Sequence, residues 1–473
     1  MHEIRPFIDG DWRDGAIECL IPDKFTGQPV SRVHEPAKEQ AEQALRSLAA
    51  AQAQISWAPY ERFSVLSRAS ALLARQRPAF VSMIMTDTGF TRADAERETD
   101  RAVQTLLLCG EEARRLAGEV VPMDGAPGVT GRLAFTVFRP LGVVCAITPF
   151  NSPLNTVVHK IGPALAAGNA VVLKPASQTP LTADGLVRLL LEAGLPPALI
   201  SVLPGRGSAV GQWLLDSQIP AAYAFTGSNP VGERVQRAAG LRRTQLELGS
   251  ISATIICADA DLDRSVPLCA NAAFRKAGQV CTSVQRLYVH ETVAAEVRDR
   301  LTALLADKKA GDPGAPDTFI GPLISQGDAE RVADWIAAAA AGGASVVCGG
   351  DRTGTVVDPT VLADVAPDMT VMRCEVFGPL VLIRPFSDLG TAIAEINDTP
   401  YGLAAGIFTS DLGNAMTAAE RLRMGSVHIN ETSSSRVDLM PYTGVKASGI
   451  GREGPHYAIR EMSEECLITI GRP

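Results

Sequence analysis

VVCAITPFNSPLNTVVHKIGPALAAGNAVVLK, Val143 to Lys174, is the stretch that decides the architecture of this chain. Val143 to Thr148 is a short β-branched run. Leu154 to Ala167 repeats apolar residues at helical spacing, and Ala170 to Lys174 is a second β-branched run. Strand, turn, helix and strand within about thirty residues spell a parallel βαβ unit. The pattern continues downstream. Strands are expected at Ile200 to Leu203, Ala221 to Phe225 and Thr244 to Leu248, and helices at Leu181 to Ala193, Ala209 to Leu215 and Val231 to Ala239. Pro and Gly punctuate nearly every junction. A doubly wound α/β sheet follows, with a ligand crevice at the carboxyl ends of its strands.

A second α/β succession runs from about Ser250 to Asn430. Its strand candidates are Ala253 to Cys257, Arg286 to His290, Val346 to Cys348, Leu380 to Arg384, Ala404 to Phe408 and Ser426 to Ile429. Gly131 to Arg139, GRLAFTVFR, alternates apolar and polar residues like an exposed ribbon, with a counterpart at Glu465 to Ile470, ECLITI. Exposed edge strands invite pairing with another subunit; a hairpin within one chain is the alternative.

The chain has 473 residues, more than one core usually holds, so two large domains and a small appendage are expected. With 46% hydrophobic and 20% charged residues it has the balance of a globular protein. A net charge of −8 argues against general affinity for nucleic acid or anionic membranes. No stretch approaches the roughly eighteen apolar residues of a spanning helix, and MHEIRPFIDGDW at the start has no signal-peptide character. The nine cysteines form no Cys-x-x-Cys pair, as expected for a reducing cytoplasm, and the six histidines show no zinc-ligand spacing near them, so no metal is expected.

Chemistry concentrates at Cys281, in Gly278-Gln279-Val280-Cys281-Thr282-Ser283, and at Glu247, in Leu246-Glu247-Leu248-Gly249-Ser250. A thiol can add to a carbonyl carbon, and a carboxylate can activate water against the resulting thioester. Three further segments join them: Thr148-Pro149-Phe150-Asn151-Ser152-Pro153, Glu375-Val376-Phe377-Gly378-Pro379, and Pro441-Tyr442-Thr443-Gly444-Val445-Lys446-Ala447-Ser448-Gly449. In this order and spacing, along essentially the whole length, they resemble the aldehyde dehydrogenase superfamily.

The resemblance implies a Rossmann-like cofactor domain (1–120 and 140–248), a catalytic domain (249–440), and an oligomerisation flap with a C-terminal arm (121–139 and 441–473). It implies a homodimer or homotetramer. Cys281 is then the nucleophile, Asn151 and the Cys281 backbone N–H hold the oxyanion, and Glu247 deprotonates the hydrolytic water. Thr148, Pro149, Phe150 and Leu248 fall on the cofactor side. The common Gly-x-Gly-x-x-Gly fingerprint is absent; in its place Phe225-Thr226-Gly227-Ser228 leaves amides free at a helix N-terminus, and Gly227 and Ser228 would face the pyrophosphate. Lys174 would bond the adenosine ribose, and Glu375 would grip the nicotinamide ribose with Phe377 beside the ring. Ser177 stands where many NAD-specific relatives carry a glutamate that repels a 2′-phosphate. NAD or NADP is therefore expected, with NADP accepted and preferred or used alongside NAD.

Glu247 favours hydrolysis over acyl transfer to coenzyme A, the rival reaction in this superfamily; a non-catalytic binding member is the other alternative. Two segments depart from the family pattern. Ser250-Ile251-Ser252-Ala253 stands where many relatives have Gly-Lys-Ser-Pro, and Pro441-Tyr442-Thr443-Gly444 replaces Pro-Phe-Gly-Gly. Arg101, Thr282 and Arg436 are the substrate-side candidates. Guanidiniums there would pair with the acid of a small anionic semialdehyde. The alternative is internal ion pairing, of Arg436 with Asp438 for example.

Overall fold

The computed structural model describes residues 1–129 and 131–471. Thr130, inside the expected flap, and Arg472 and Pro473, in the expected arm, lie outside the described residues. The first sheet has eight strands, ordered Gly449–Ile450, Arg243–Glu247, Pro220–Thr226, Val143–Ile147, Ala170–Lys174, Ile200–Val202, Phe7–Ile8 and Asp11–Trp12. The pairings from Arg243–Glu247 across to Ile200–Val202 are all parallel. From Val143–Ile147 the chain winds outward to Ala170–Lys174 and Ile200–Val202, then returns to lay Pro220–Thr226 on the opposite side. Order reverses between these two neighbours, so the loops at their carboxyl ends part and leave a crevice.

Both faces of this sheet are covered. The helices Pro59–Arg75, Arg77–Thr88, Arg92–Ala113, Asn155–Ala167 and Pro180–Glu192 pack on one side, and Lys38–Gln54, Gln212–Asp216 and Asn229–Ala239 on the other. That is why Val143–Ile147 and Ala170–Lys174 read as near-continuous apolar runs rather than as alternating ones. Each fully buried Val or Leu in these layers contributes about 1.5–3 kcal/mol.

The second sheet has seven strands, ordered Ser345–Cys348, Thr360–Ala363, Leu380–Phe386, Arg286–His290, Ala253–Ile256, Ala404–Phe408 and Ser426–Ile429. Only the Ser345–Cys348 edge is antiparallel. It has its own core, centred on Ile255, Tyr288, Leu382 and Ile407.

Some details differ from the sequence reading. The expected helix over 209–215 is a wide π-turn at Gly207–Gly211 running into Gln212–Asp216, since glycine at both ends of the turn tolerates the looser winding. Within 441–473, Gly449–Ile450 joins the edge of the first sheet and Pro455–Glu461 packs on its helices; Ser463–Ile470 alone belongs to the ribbon. The two predicted ribbon segments pair with each other, Leu133–Pro140 against Ser463–Ile470, antiparallel over eight residues, and Val120–Val121 adds a third strand. Val120, Leu133, Leu467 and Ile470 stay exposed on it. Among the described residues, no helix is long and apolar enough to cross a membrane, and no group of His, Cys, Asp and Glu is arranged to hold a metal ion.

Candidate active site

A cavity of about 740 Å³ lies at the strand reversal of the first sheet and is closed by loops of the second. Every residue singled out from sequence lines it: Asn151, Glu247 and Cys281; Thr148, Pro149, Phe150, Lys174, Ser177, Gly227, Ser228, Leu248, Glu375 and Phe377; Arg101, Thr282 and Arg436.

Cys281 is presented by an unusual turn. After the helix Leu262–Phe274, Lys276 (φ 54°), Ala277 (φ 54°) and Gly278 (φ 70°) are successively left-handed. That conformation costs a non-glycine residue roughly 1–2 kcal/mol, so the surroundings must hold it. Lys276 Nζ pairs with Glu98 Oε2 at 2.6 Å and donates to the Asn151 carbonyl at 2.9 Å, and its backbone N–H donates to Asp94 at 3.2 Å. The Gln279 side chain donates to Lys276 O and accepts from the Ile324 N–H. At Gly278 a Cβ would stand 2.0 Å from the Gly378 carbonyl oxygen, so glycine is required there twice over.

Asn151 donates one amide proton to the Gln279 carbonyl at 2.8 Å, which ties it to the same turn and leaves its second N–H for the cavity. The Cys281 backbone N–H has no acceptor among the described residues. Asn151 and Cys281 line the same cavity, each with one N–H left without an acceptor among the described residues. Burial pushes the Cys281 thiol up to about 11, opposed chiefly by a hydrogen bond with Tyr442. Glu247 is 3% exposed and, among the described residues, neither carboxyl oxygen has a partner. Burial, reinforced by the negative charge of Glu453, raises it well above the usual carboxylate range.

On the other side, the hydroxyls of Thr148 and Thr226 are buried without partners among the described residues, and Ser228 caps the helix Asn229–Ala239 without its side chain bonding a helix N–H. Unused hydroxyls beside a helix N-terminus fit a bound dinucleotide phosphate. Burial brings Lys174 down to about 8. Ser177 donates to Gly205 O at 2.9 Å, and the next residue, Arg206, is anchored by Glu35 at 2.9 Å. Glu375, of intermediate exposure, accepts the Ser250 N–H at 3.0 Å, and burial raises it to about 7. Phe377 meets Phe150 edge-on with ring centres 5.7 Å apart.

The substrate side corrects one expectation. Arg436 pairs with Glu453 at 2.6 Å, not with Asp438. Asp438 instead accepts from Arg101 at 2.7 Å, His159 at 2.8 Å and Asn155 at 3.2 Å. Three donors on one carboxylate leave no place for Arg436. It turns to Glu453, which also holds the fully buried Lys160 at 2.7 Å. The sequence reading missed Arg275. Its guanidinium donates to Ser434 at 2.7 Å and, among the described residues, has no carboxylate within 4 Å. Its place six positions before Cys281 on the same turn was the available signal.

Two sheets sharing one cavity, with phosphate-ready main chain on one wall and a cysteine on the other, define the class of a two-domain α/β enzyme. The comparisons make it specific. The model of the aldehyde dehydrogenase family matches residues 11–467. The chain is 44% identical to a 3-sulfolactaldehyde dehydrogenase of Priestia aryabhattai, over 98% of this chain and 97% of that protein. It is similar to the structure of aldehyde dehydrogenase 21 from Physcomitrella patens in complex with the reaction product succinate, with a TM-score of 0.96 and 34% identity, covering 99% of this chain and 98% of that one. A glyceraldehyde-3-phosphate dehydrogenase of Bacillus halodurans complexed with NADP also matches, at TM-score 0.96 and 32% identity over 100% of both chains. The chain belongs to the aldehyde dehydrogenase family and is an oxidoreductase that acts on aldehydes.

Proposed function

We propose that this enzyme oxidises a small anionic aldehyde, with a carboxylate or sulfonate at its far end, to the corresponding acid, using NADP or NAD. The observation that carries the substrate class is the Arg275 guanidinium. It lines the cavity onto which Cys281 opens and carries no carboxylate of its own. A partly buried guanidinium with no carboxylate within 4 Å among the described residues, and only the more distant charge of Asp94 acting on it, is incompletely neutralised, and an anionic substrate would complete the pairing. Arg101 and Arg436 already have carboxylate partners and add a general positive field. The similarity to a protein named for 3-sulfolactaldehyde and to a structure holding succinate, an anion in each case, supports the same reading.

Cys281 attacks the aldehyde carbon, and Asn151 with the Cys281 N–H steadies the oxyanion. A nicotinamide dinucleotide bound in the cavity would supply the hydride acceptor, and Cys281 would then carry the acyl group as a thioester. Thr148, Gly227, Ser228, Lys174, Glu375 and Phe377 are the residues that would hold the dinucleotide. Glu247 then takes a proton from water, releasing acid and free thiol. Burial raises Glu247 well above the usual carboxylate range, and the charges of Lys160 and Arg436 oppose that rise and favour the carboxylate that takes the proton. Ser177, neutral beside Arg206, admits a 2′-phosphate. The ribbon's exposed Leu133, Leu467 and Ile470 fit pairing with a second copy.

The test is a set of C2 to C5 aldehydes in matched pairs, with and without a terminal acid, followed by cofactor reduction at 340 nm in the absence of coenzyme A. Anionic members should be preferred by the wild type, and the preference should vanish in Arg275→Ala. Equal turnover within each pair in the wild type would overturn the substrate class.

A further inference from the structure

The oxygen of the Tyr442 side chain lies 3.1 Å from Sγ of Cys281. Its place is fixed from several directions. The Tyr442 main chain exchanges two hydrogen bonds with that of Glu453, at 3.2 and 2.7 Å. The Arg436 guanidinium sits 3.9 Å from the centre of the phenol ring, and Glu453 holds that guanidinium in turn at 2.6 Å. Tyr442 is 6% exposed, and among the described residues its hydroxyl has no hydrogen-bond partner besides the sulfur. A buried hydroxyl with a single partner is committed to it.

We propose that Tyr442 is a catalytic residue, its hydroxyl donating a hydrogen bond to the Cys281 sulfur and stabilising the thiolate that attacks the aldehyde. This rests on Cys281 being the nucleophile. The direction of the bond follows from chemistry, because a thiolate can only accept, so the phenol must donate. Burial, together with the nearby Cys281 and Glu247, keeps the phenol protonated well above its ordinary range. The other charged groups facing the sulfur work against one another: Glu247 and Glu375 disfavour a negative sulfur, while Arg436 and Arg275 favour it. Burial outweighs them and holds the thiol up, and the bond from the Tyr442 hydroxyl is the largest influence opposing it. Once Sγ is bonded to carbon it carries no charge, and the hydrogen bond to it weakens.

A hydrogen bond to a charged group of this kind shifts a titration by about one unit. Removing the hydroxyl therefore leaves about tenfold less thiolate at neutral pH. Each remaining thiolate becomes about threefold more reactive, because nucleophilicity rises with basicity at a Brønsted slope of about 0.4–0.5. The net effect at neutral pH is about a threefold fall in attack.

The experiment is alkylation of the full-length protein by iodoacetamide from about pH 7 to about pH 12, a window that spans the raised titration of the thiol, with the Cys281 peptide quantified by mass spectrometry. Tyr442→Phe keeps the ring under Arg436 and deletes only the hydroxyl. Its inflection should move up by about one unit, with about threefold slower labelling at pH 7, while NADPH affinity measured by fluorescence stays unchanged. Should Tyr442→Phe not fold, Tyr442→Leu also lacks the hydroxyl and carries the same measurement. An unshifted profile, or labelling at pH 7 as fast as in the wild type, overturns the role of Tyr442. Cys281→Ala that still oxidises aldehydes overturns instead the reading of Cys281, so the two failures are distinguishable.

Discussion

The end of the cavity walled by Thr148, Lys174, Ser177 and Ser228 offers hydroxyls, strand ends, a helix N-terminus and one lysine, whereas the end walled by Arg97, Arg101, Arg275 and Arg436 gathers four guanidiniums. The first end is made by consecutive turns of a single winding sheet. The second is assembled from segments more than three hundred positions apart, brought together by buried ion pairs such as Arg101 with Asp438. On the proposed reading, one wall would recognise by main-chain geometry that any doubly wound sheet supplies, and the other by charge that this particular sequence places. Cofactor class should therefore survive changes at the arginine end, and substrate class should survive changes at the sheet end.

The largest effect expected lies where the two ends meet. Cys281→Ala should lower kcat by about ten-thousandfold or more for every aldehyde, with cofactor affinity retained. Steady-state rates with direct cofactor titration check this, and a variant retaining a tenth of wild-type turnover would remove the sulfur from the reaction. Next comes Arg275→Ala, which should cut kcat/KM for anionic aldehydes by roughly thirtyfold to a hundredfold while sparing neutral ones, the size of one or two charge-assisted hydrogen bonds. A uniform loss across both kinds would mean that Arg275 only shapes the turn.

Smaller effects sharpen the contrast at the sheet end. Glu375 is raised to about 7, so it is mostly neutral at pH 6 and mostly ionised at pH 8. If the carboxylate form grips the ribose, cofactor affinity should rise about tenfold across that interval as the proton leaves, and the slope should flatten in Glu375→Gln. Isothermal titration at several pH values reads it directly. Ser177→Glu should cost NADP more than NAD, shifting the ratio of their specificity constants toward NAD by about tenfold, the order expected of one repelled charge. An unchanged ratio would place the discriminating group elsewhere, Arg206 being the next residue to replace.

The sheet end was the more legible in sequence because its signals are local. A β-branched run followed by Thr148-Pro149-Phe150 or Thr226-Gly227-Ser228 already fixes a strand end and the turn after it, and Ala170–Lys174, Arg286–His290 and Ala404–Phe408 appear at the predicted bounds. The arginine end was only half legible. Arg101 and Arg436 could be named, but which carboxylate each takes depends on His159 and Asn155 competing for Asp438, a matter of three-dimensional proximity that no spacing reveals. Arg275 went unremarked because, read along the chain, it was one more basic residue at a helix end; its lack of a counter-ion exists only in the fold. Likewise Gly449–Ile450 joins the first sheet as an edge of two residues, too short to leave a periodic trace.

The Lys276 to Glu98 contact also bears on how the molecule moves. It staples the turn that carries the sulfur, a part of the second sheet's layer, to the helix Arg92–Ala113, a part of the first, with both charges almost wholly out of water. Parting the layers like a jaw would break this pair and the Lys276 bond to the Asn151 carbonyl together, so the turn that bears the sulfur and the loop that bears Asn151 are held as one piece.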